Sequence, residues 1–379
     1  MREGWEYKKL GQVCTSDLGK TLNKSKDRGE LHPYLCSINI LWDKIDLSTL
    51  KQACFEAGEQ EKYTVRKGDL LVCEGGDTGR SAIWDRDETI LYQNALHRLR
   101  FHESVFPKFV LFYLMYLKDI GEIDNKYSKG VTIKHLVKKA LLSIPLPLPP
   151  KPTQLSIVSE LDKLNELIQI KKEQFKDYDA LAQSIFYEMF GDPVVNEKGW
   201  EVISLSELSM YPNERIAINQ LSPSQYVGVE NLIKDRGGVR FSNSLPKANS
   251  AIAYKENDIL LGNIRPYLKK IWLADKGGGA SGDVVIIRIS NRKITPVFLF
   301  KVLSSDSFFE YDNTYTKGAK MPRGDRKVIA KFGVILPPLP LQQSFAHKIE
   351  QIERQKASVQ KTISDLEMLL ASRMQHWFD

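Results

Sequence analysis

Leu148-Pro149-Pro150-Lys151-Pro152-Thr153-Gln154 returns 188 residues later as Leu336-Pro337-Pro338-Leu339-Pro340-Leu341-Gln342. At the same offset Tyr127-Ser128-Lys129-Gly130 returns as Tyr315-Thr316-Lys317-Gly318. Each proline-rich block leads into a stretch whose apolar residues recur in steps of four and three. The first runs Ile157, Leu161, Leu164, Ile168, Phe175, Tyr178, Ala182, Ile185 and Met189, with Lys171 in its polar slot. The second runs Phe345, Ile349, Ile352, Val359, Ile363, Leu366 and Leu370, with Lys356 in the polar slot. The offset carries Ile157 onto Phe345 and Leu164 onto Ile352, so the register is kept within the repeat. An apolar period near 3.5 over several heptads is a coiled-coil seam. The economical partner for each helix is the other, and a pair related by a pseudo-two-fold runs antiparallel. About 33 residues of helix span roughly 50 Å. The prolines before each helix fit neither a helix interior nor a central strand and read as stiff extended connectors.

Upstream of each block lies a unit of similar order. Thr64 to Cys73 and Ser81 to Trp84 alternate like strands, and Pro107 to Leu117 has helical length with proline suited to its first turn. In the second unit Lys255 to Leu261 matches the Lys67 stretch, Val284 to Ile289 reads as a strand, and Pro296 to Leu303 as a helix. The entries also match, Gly4-Trp5-Glu6 against Gly199-Trp200-Glu201. A chain of 379 residues is too long for one ordinary core, which agrees with two units.

At 42% hydrophobic and 27% charged residues, the composition is that of a folded chain rather than a disordered one. No apolar run reaches the roughly 20 residues of a membrane helix, and Met1-Arg2-Glu3-Gly4-Trp5 is no signal peptide; the expected location is the cytoplasm. A net charge of +7 is compatible with a nucleic-acid partner. Cys14, Cys36, Cys54 and Cys73 have no CxxC spacing, so they read as reduced thiols. The phosphate loop GxxxxGK[ST], the metal helix HExxH and the nucleophile elbow GxSxG are all missing. His32, His97, His102, His135, His347 and His376 share no metal-like spacing and read as core or surface residues. No catalytic or metal-ligating residue is assigned, and Glu74 to Arg80 reads as a glycine-rich turn between strands.

Binding is better supported. Glycine permits close backbone approach, Lys and Arg neutralise phosphates, and Arg and Asn read base edges through paired hydrogen bonds. The candidates in the first unit are Lys20 and Asn23 in the Gly19–Lys24 stretch, Arg80 beside Gly79, and Lys129 in the Tyr127–Thr132 stretch. In the second unit they are Arg265 and Lys269, then Lys317, Lys320 and Arg323, with Gly278-Gly279-Ala280-Ser281-Gly282 as a further glycine-rich loop.

The order of unit, Leu-Pro-Leu-Pro-Pro-x-Pro-x-Gln block, long helix, then all of it again, resembles the specificity (S) subunit of Type I restriction-modification systems. The residues that carry the resemblance are Leu146 to Pro150 with Gln154, and Val334 to Pro340 with Gln342-Gln343. Lys67 to Leu71, Asn257 to Leu261, Asn263-Ile264-Arg265-Pro266 and the two Lys-Gly turns add to it. The first copy departs from the pattern at Leu155, where the second has Gln343.

The resemblance implies an α+β architecture: two similar mixed α/β target recognition domains, related by pseudo-two-fold symmetry and separated by two long helices in an antiparallel coiled coil. The expected domains are 1–150 and 192–338, with the first helix over 151–191 and the second over 339–379 as spacers. It implies double-stranded DNA as partner, read as a bipartite asymmetric target. Modification subunits carrying S-adenosylmethionine and a restriction/translocase subunit are the implied protein partners. This chain itself would carry no cofactor and no catalytic centre. Three alternatives remain open: an equivalent subunit of another restriction class, an enzyme that itself methylates or cuts DNA, and a coiled-coil scaffold unrelated to DNA. An NPPY-type methyltransferase motif is missing, and a scaffold would leave the Gly- and Lys-rich loops without purpose.

Overall fold

The computed structural model describes residues 4–23, 27–130, 134–316 and 321–379. They fall into two compact units, Met1–Lys172 with Lys361–Asp379, and Glu173–Gln360. The division runs through both long helices, so neither helix is a domain by itself.

In the first unit β1 is Glu6–Lys9, β2 Cys14–Leu18, β3 Leu70–Cys73, β4 Ser81–Ile83, β5 Leu96–Phe101 and β6 Pro145–Leu148. An antiparallel sheet has the order β2-β5-β3-β4. Helix α1, Pro107–Asp119, opens on proline and buries Phe109 to Leu114 in the same core as β3 and β5. The proline run over β6 pairs antiparallel with β1 in a two-stranded ladder, Glu6 opposite Leu148. The first part of the expected stiff connector, Pro145–Leu148, is therefore a strand, which proline tolerates because no central ladder is interrupted. Helix α2, Lys151–Phe190, starts directly after it.

The second unit repeats this plan. Its strands are β7 (Glu201–Ser204), β8 (Ser209–Met210), β9 (Ile259–Gly262), β10 (Ile271–Leu273), β11 (Val284–Ile289) and β12 (Gly333–Leu336). The sheet order β8-β11-β9-β10 and the β7–β12 ladder match the first unit strand for strand. Helices α3 (Pro296–Leu303) and α4 (Asp306–Thr314) follow, and α5 (Leu339–Phe378) leaves from the ladder.

A second four-stranded sheet in each unit diverges. Ile90–Tyr92 and Gly278–Ala280 each pair parallel on one side and antiparallel on the other. The fourth strand, however, is added next to the parallel neighbour in the first unit and next to the antiparallel neighbour in the second. Gly278–Ala280, read from composition as part of a binding loop, is thus a buried strand. Its first glycine is required by packing: a Cβ on Gly278 would lie 2.1 Å from the Gln225 carbonyl oxygen.

The helices pair antiparallel within each unit. In the first, Arg373 bonds Glu160 and Lys172 pairs with Glu367 at 2.7 Å; in the second, Lys356 pairs with Asp179 at 2.6 Å. The seam follows the heptad register over Ile157, Leu161 and Ile168, then changes. Buried positions at the end of α2 are Ala182, Phe186 and Phe190, with Ile185 and Met189 only partly covered. There the helix faces the core of a folded unit, where Phe190 meets Phe298 and Phe345 at ring distances of 4.8 and 5.3 Å. Phe378, 188 residues on, does the same in the first unit, against Phe109 and Tyr113 at 5.5 and 5.4 Å. Cys14, Cys36, Cys54 and Cys73 are free thiols.

Candidate nucleic-acid interface

The structure places Arg265, Lys269, Arg323 and Lys129 around one recurrent turn, that between the two adjacent strands β3 and β4, or β9 and β10. An aspartate sets each strand. Asp69, 1% exposed, accepts from Arg66 N at 2.8 Å and takes a bidentate pair from Arg100 at 2.7 and 2.6 Å. Asp258 does the same with Lys255 N and Arg288. The closing bonds also correspond: Cys73 N to Arg80 O at 2.8 Å, and Gly262 N to Lys270 O at 2.9 Å.

Between these fixed points each turn has two left-handed residues. In the first unit they are Gly76 (φ 76°) and Gly79 (φ 84°); in the second, Arg265 (φ 54°) and Lys269 (φ 50°). Glycine adopts this backbone freely, whereas a Cβ makes it costly, by about 1–2 kcal/mol per residue. The second unit therefore carries strain twice in one turn, each time to hold a cation. Arg265 is exposed, and no partner reaches its guanidinium among the described residues. Lys269 donates to Asp306 at 2.5 Å, and Arg236 bonds the same oxygen; together they hold the Asp306 carboxyl down at about 2.

A loop from the end of each unit is laid against this turn. In the second unit Arg265 N donates to Pro322 O at 2.7 Å and Gly324 N to Asn263 O at 3.0 Å, with Ile264 bridged to Arg323. Arg323 is exposed and paired with Asp283 at 3.2 Å. In the first unit Leu136 N donates to Glu74 O at 2.7 Å, and His135 bridges both Gly75 and Lys129. Lys129 is exposed, and its ammonium has no partner among the described residues. Lys317, Lys320, Lys24 and Thr132 lie outside the described residues.

The other candidates do not join these clusters. Lys20 is 4% exposed, and its ammonium bonds Cys54 O and Glu59 at 2.7 Å each and pairs with Asp27 at 3.3 Å. It is spent holding the second sheet of the first unit together. Asn23, exposed, is tied to Asp27 through its backbone N at 2.8 Å. Arg80 points inward, donating to Ser37 O at 2.9 Å.

One group escapes notice in the sequence. Asp312 is 1% exposed, and among the described residues neither of its carboxylate oxygens has a hydrogen-bond partner. Burial pushes its carboxyl up to about 6. Its counterpart Asp124 instead meets Thr78 Oγ1 at 2.8 Å and Lys118 Nζ at 3.0 Å. In the second unit Asp306 stands where the offset puts Lys118, so that position supplies no cation.

Residues 2–177 match the family model of the Type I restriction modification DNA specificity domain. Over 93% of the chain and 86% of the relative, the sequence is 22% identical to the Type I restriction enzyme MjaVIII specificity subunit of Methanocaldococcus jannaschii. The chain is thus similar to Type I specificity subunits, by the family model over residues 2–177 and by sequence over most of its length. The EcoDI specificity subunit of Escherichia coli is 28% identical over 28% of this chain and 23% of that subunit. The fold of the family extends over the whole chain. The S subunit from M. genitalium gives a TM-score of 0.57 at 14% identity, covering 99% of this chain and 96% of that one. A chain solved in work on complex assembly and conformational transition of the type I R-M system gives 0.61 at 16% identity, covering 100% and 98%. Among the described residues no helix is long and apolar enough to cross a membrane.

Proposed function

We propose that this specificity subunit reads a bipartite, asymmetric DNA target, one half with each unit, through the loop laid on each two-strand turn. The observation that carries the reading is the left-handed pair Arg265 and Lys269, cations held at a backbone cost where the sister unit uses glycine. Strain of this kind collects at binding sites. Basic loops first attract phosphates, and register and base readout follow. The two units share a frame but differ in these loops, so the two half-sites differ. In this reading the chain is a non-catalytic cytoplasmic adaptor. Modification subunits dock on its helices and supply S-adenosylmethionine chemistry, and a restriction/translocase subunit joins them. The proposed sites for DNA contact are Arg265, Lys269, Arg323 and Lys129, and Lys317 and Lys320, outside the described residues, are kept as candidates. Lys20 and Arg80 serve the frame, and Asn23 remains a candidate at the edge of the first unit.

Methylation mapping of host DNA with and without the gene tests this. The expected result is one split motif with a fixed spacer, about one helical turn between half-site centres. A heptad inserted into both α2 and α5 should lengthen that spacer. A continuous motif, or a spacer indifferent to helix length, would sink the reading.

A further inference from the structure

In the second unit the turn itself carries the cations; in the first, Gly76 and Gly79 leave it bare. A Cβ on Gly76 would find nothing within 4 Å, so this stretch of backbone is open to a ligand. What stands beside it is His135. Its ring lies on the neighbouring Gly75, where a Cβ would come 3.3 Å from Nδ1 and 3.4 Å from Cε1. Its backbone is held from the other side as well: Lys129 N donates to His135 O at 2.9 Å, and His135 N to Lys129 O at 2.8 Å. The side chain is exposed, and its imidazole makes no hydrogen bond among the described residues.

Arg323 occupies the same place in the second unit, 188 residues on, bridged to Ile264 as His135 is to Gly75. The position is therefore a rigid seat on the face of the turn, filled by a guanidinium in one unit and an imidazole in the other. An imidazole presents two ring nitrogens for hydrogen bonding from a short side chain with two rotatable bonds. That suits a base edge better than the mobile ammonium of Lys129, which suits a phosphate.

We propose that His135 is a specificity-determining residue of the first unit, contacting a base edge across the open Gly75-Gly76 backbone. The inference rests on the DNA-reading function above.

The test uses the full-length chain and duplexes carrying the mapped target, with each base pair of the first half-site changed in turn. Affinity is read by fluorescence anisotropy for the wild type, His135→Ala and His135→Gln, and folding is checked by thermal melting. Wild type should lose affinity by about ten-fold or more at each base pair it reads. His135→Ala should abolish that discrimination at one position and leave the others, and His135→Gln should change the base preferred there. Lys129→Ala should weaken all duplexes alike. An unchanged profile in both His135 variants, or a uniform weakening of every duplex, would overturn the proposal. If the wild type shows no discrimination within either half-site, the DNA-reading function itself fails and the His135 proposal falls with it.

Discussion

Gln154 Oε1 accepts the backbone N–H of Phe106 at 2.8 Å, joining the first turn of the long helix α2 to the residue that precedes α1. The same fully buried amide donates to Ser104 O at 3.0 Å and Pro149 O at 2.9 Å. Gln342 repeats all three bonds, with Thr295 N, Lys293 O and Pro337 O. This explains why the glutamine of the proline block is present in both copies. It locks the exit angle of each helix, while the next position, exposed at Leu155, is free to vary.

Replacing Gln154 or Gln342 by alanine takes the side-chain partner from three backbone groups, one buried and two part-buried. The expected cost is about 3 kcal/mol at either site, measured by urea denaturation. A loss below about 1 kcal/mol would show that water replaces the amide.

The two Asp–Arg pairs should rank by burial. Arg288 is less exposed than Arg100, at 15% against 39% of the side chain, so solvent screens its pair with Asp258 less. Asp258→Asn should therefore destabilise by about 3 kcal/mol and Asp69→Asn by about 2 kcal/mol. The reverse order in denaturation experiments would contradict this account.

Asp312 should destabilise the protein at neutral pH. Its carboxyl sits at about 6 in the folded chain against an ordinary 3.8. A raised carboxyl binds its proton more tightly when folded, so stability falls as pH rises from about 4 to about 6 and stays low above. Asp312→Asn should remove that slope and raise stability at pH 7 by up to ~3 kcal/mol. Thermal melts of both proteins at pH 4.5 and 7.5, taken as roughly the two ends of the titration, would show it. Equal differences at the two pH values would exclude the titration.

Arg265→Gly should stabilise the fold by about 1 kcal/mol, because glycine relaxes a left-handed backbone, whereas Lys269→Gly gains the same relief but gives up its bond to Asp306. Both should weaken DNA binding and lower its salt dependence. Gains in stability without any loss of DNA affinity would remove these residues from the interface.

Much of the architecture could be read along the chain. The offset of 188, the paired proline blocks and the helical periodicities are linear patterns, and they led to the right number of units and the right helices. The turn at Glu74 to Arg80 was equally legible, because glycine marks left-handed backbone directly. Other features were hidden. The β1–β6 ladder joins Glu6 to Leu148 with most of a domain between them, and no local pattern records such a pairing. Lys20 looked like a surface cation until Asp27, Glu59 and Cys54 closed around it. Phe186 and Phe190 replaced the heptad positions Ile185 and Met189, since a helix facing a globular core answers to that core and not to a seam.

By itself the sequence determined the duplication, the helices and the family resemblance, since each depends on residue order and spacing alone. Tertiary structure decided which cations face outward, that Arg265 and Lys269 hold left-handed backbone, and that Asp312 is buried without a partner among the described residues. Those properties depend on what surrounds a side chain, and a repeat can keep its frame while every such environment changes.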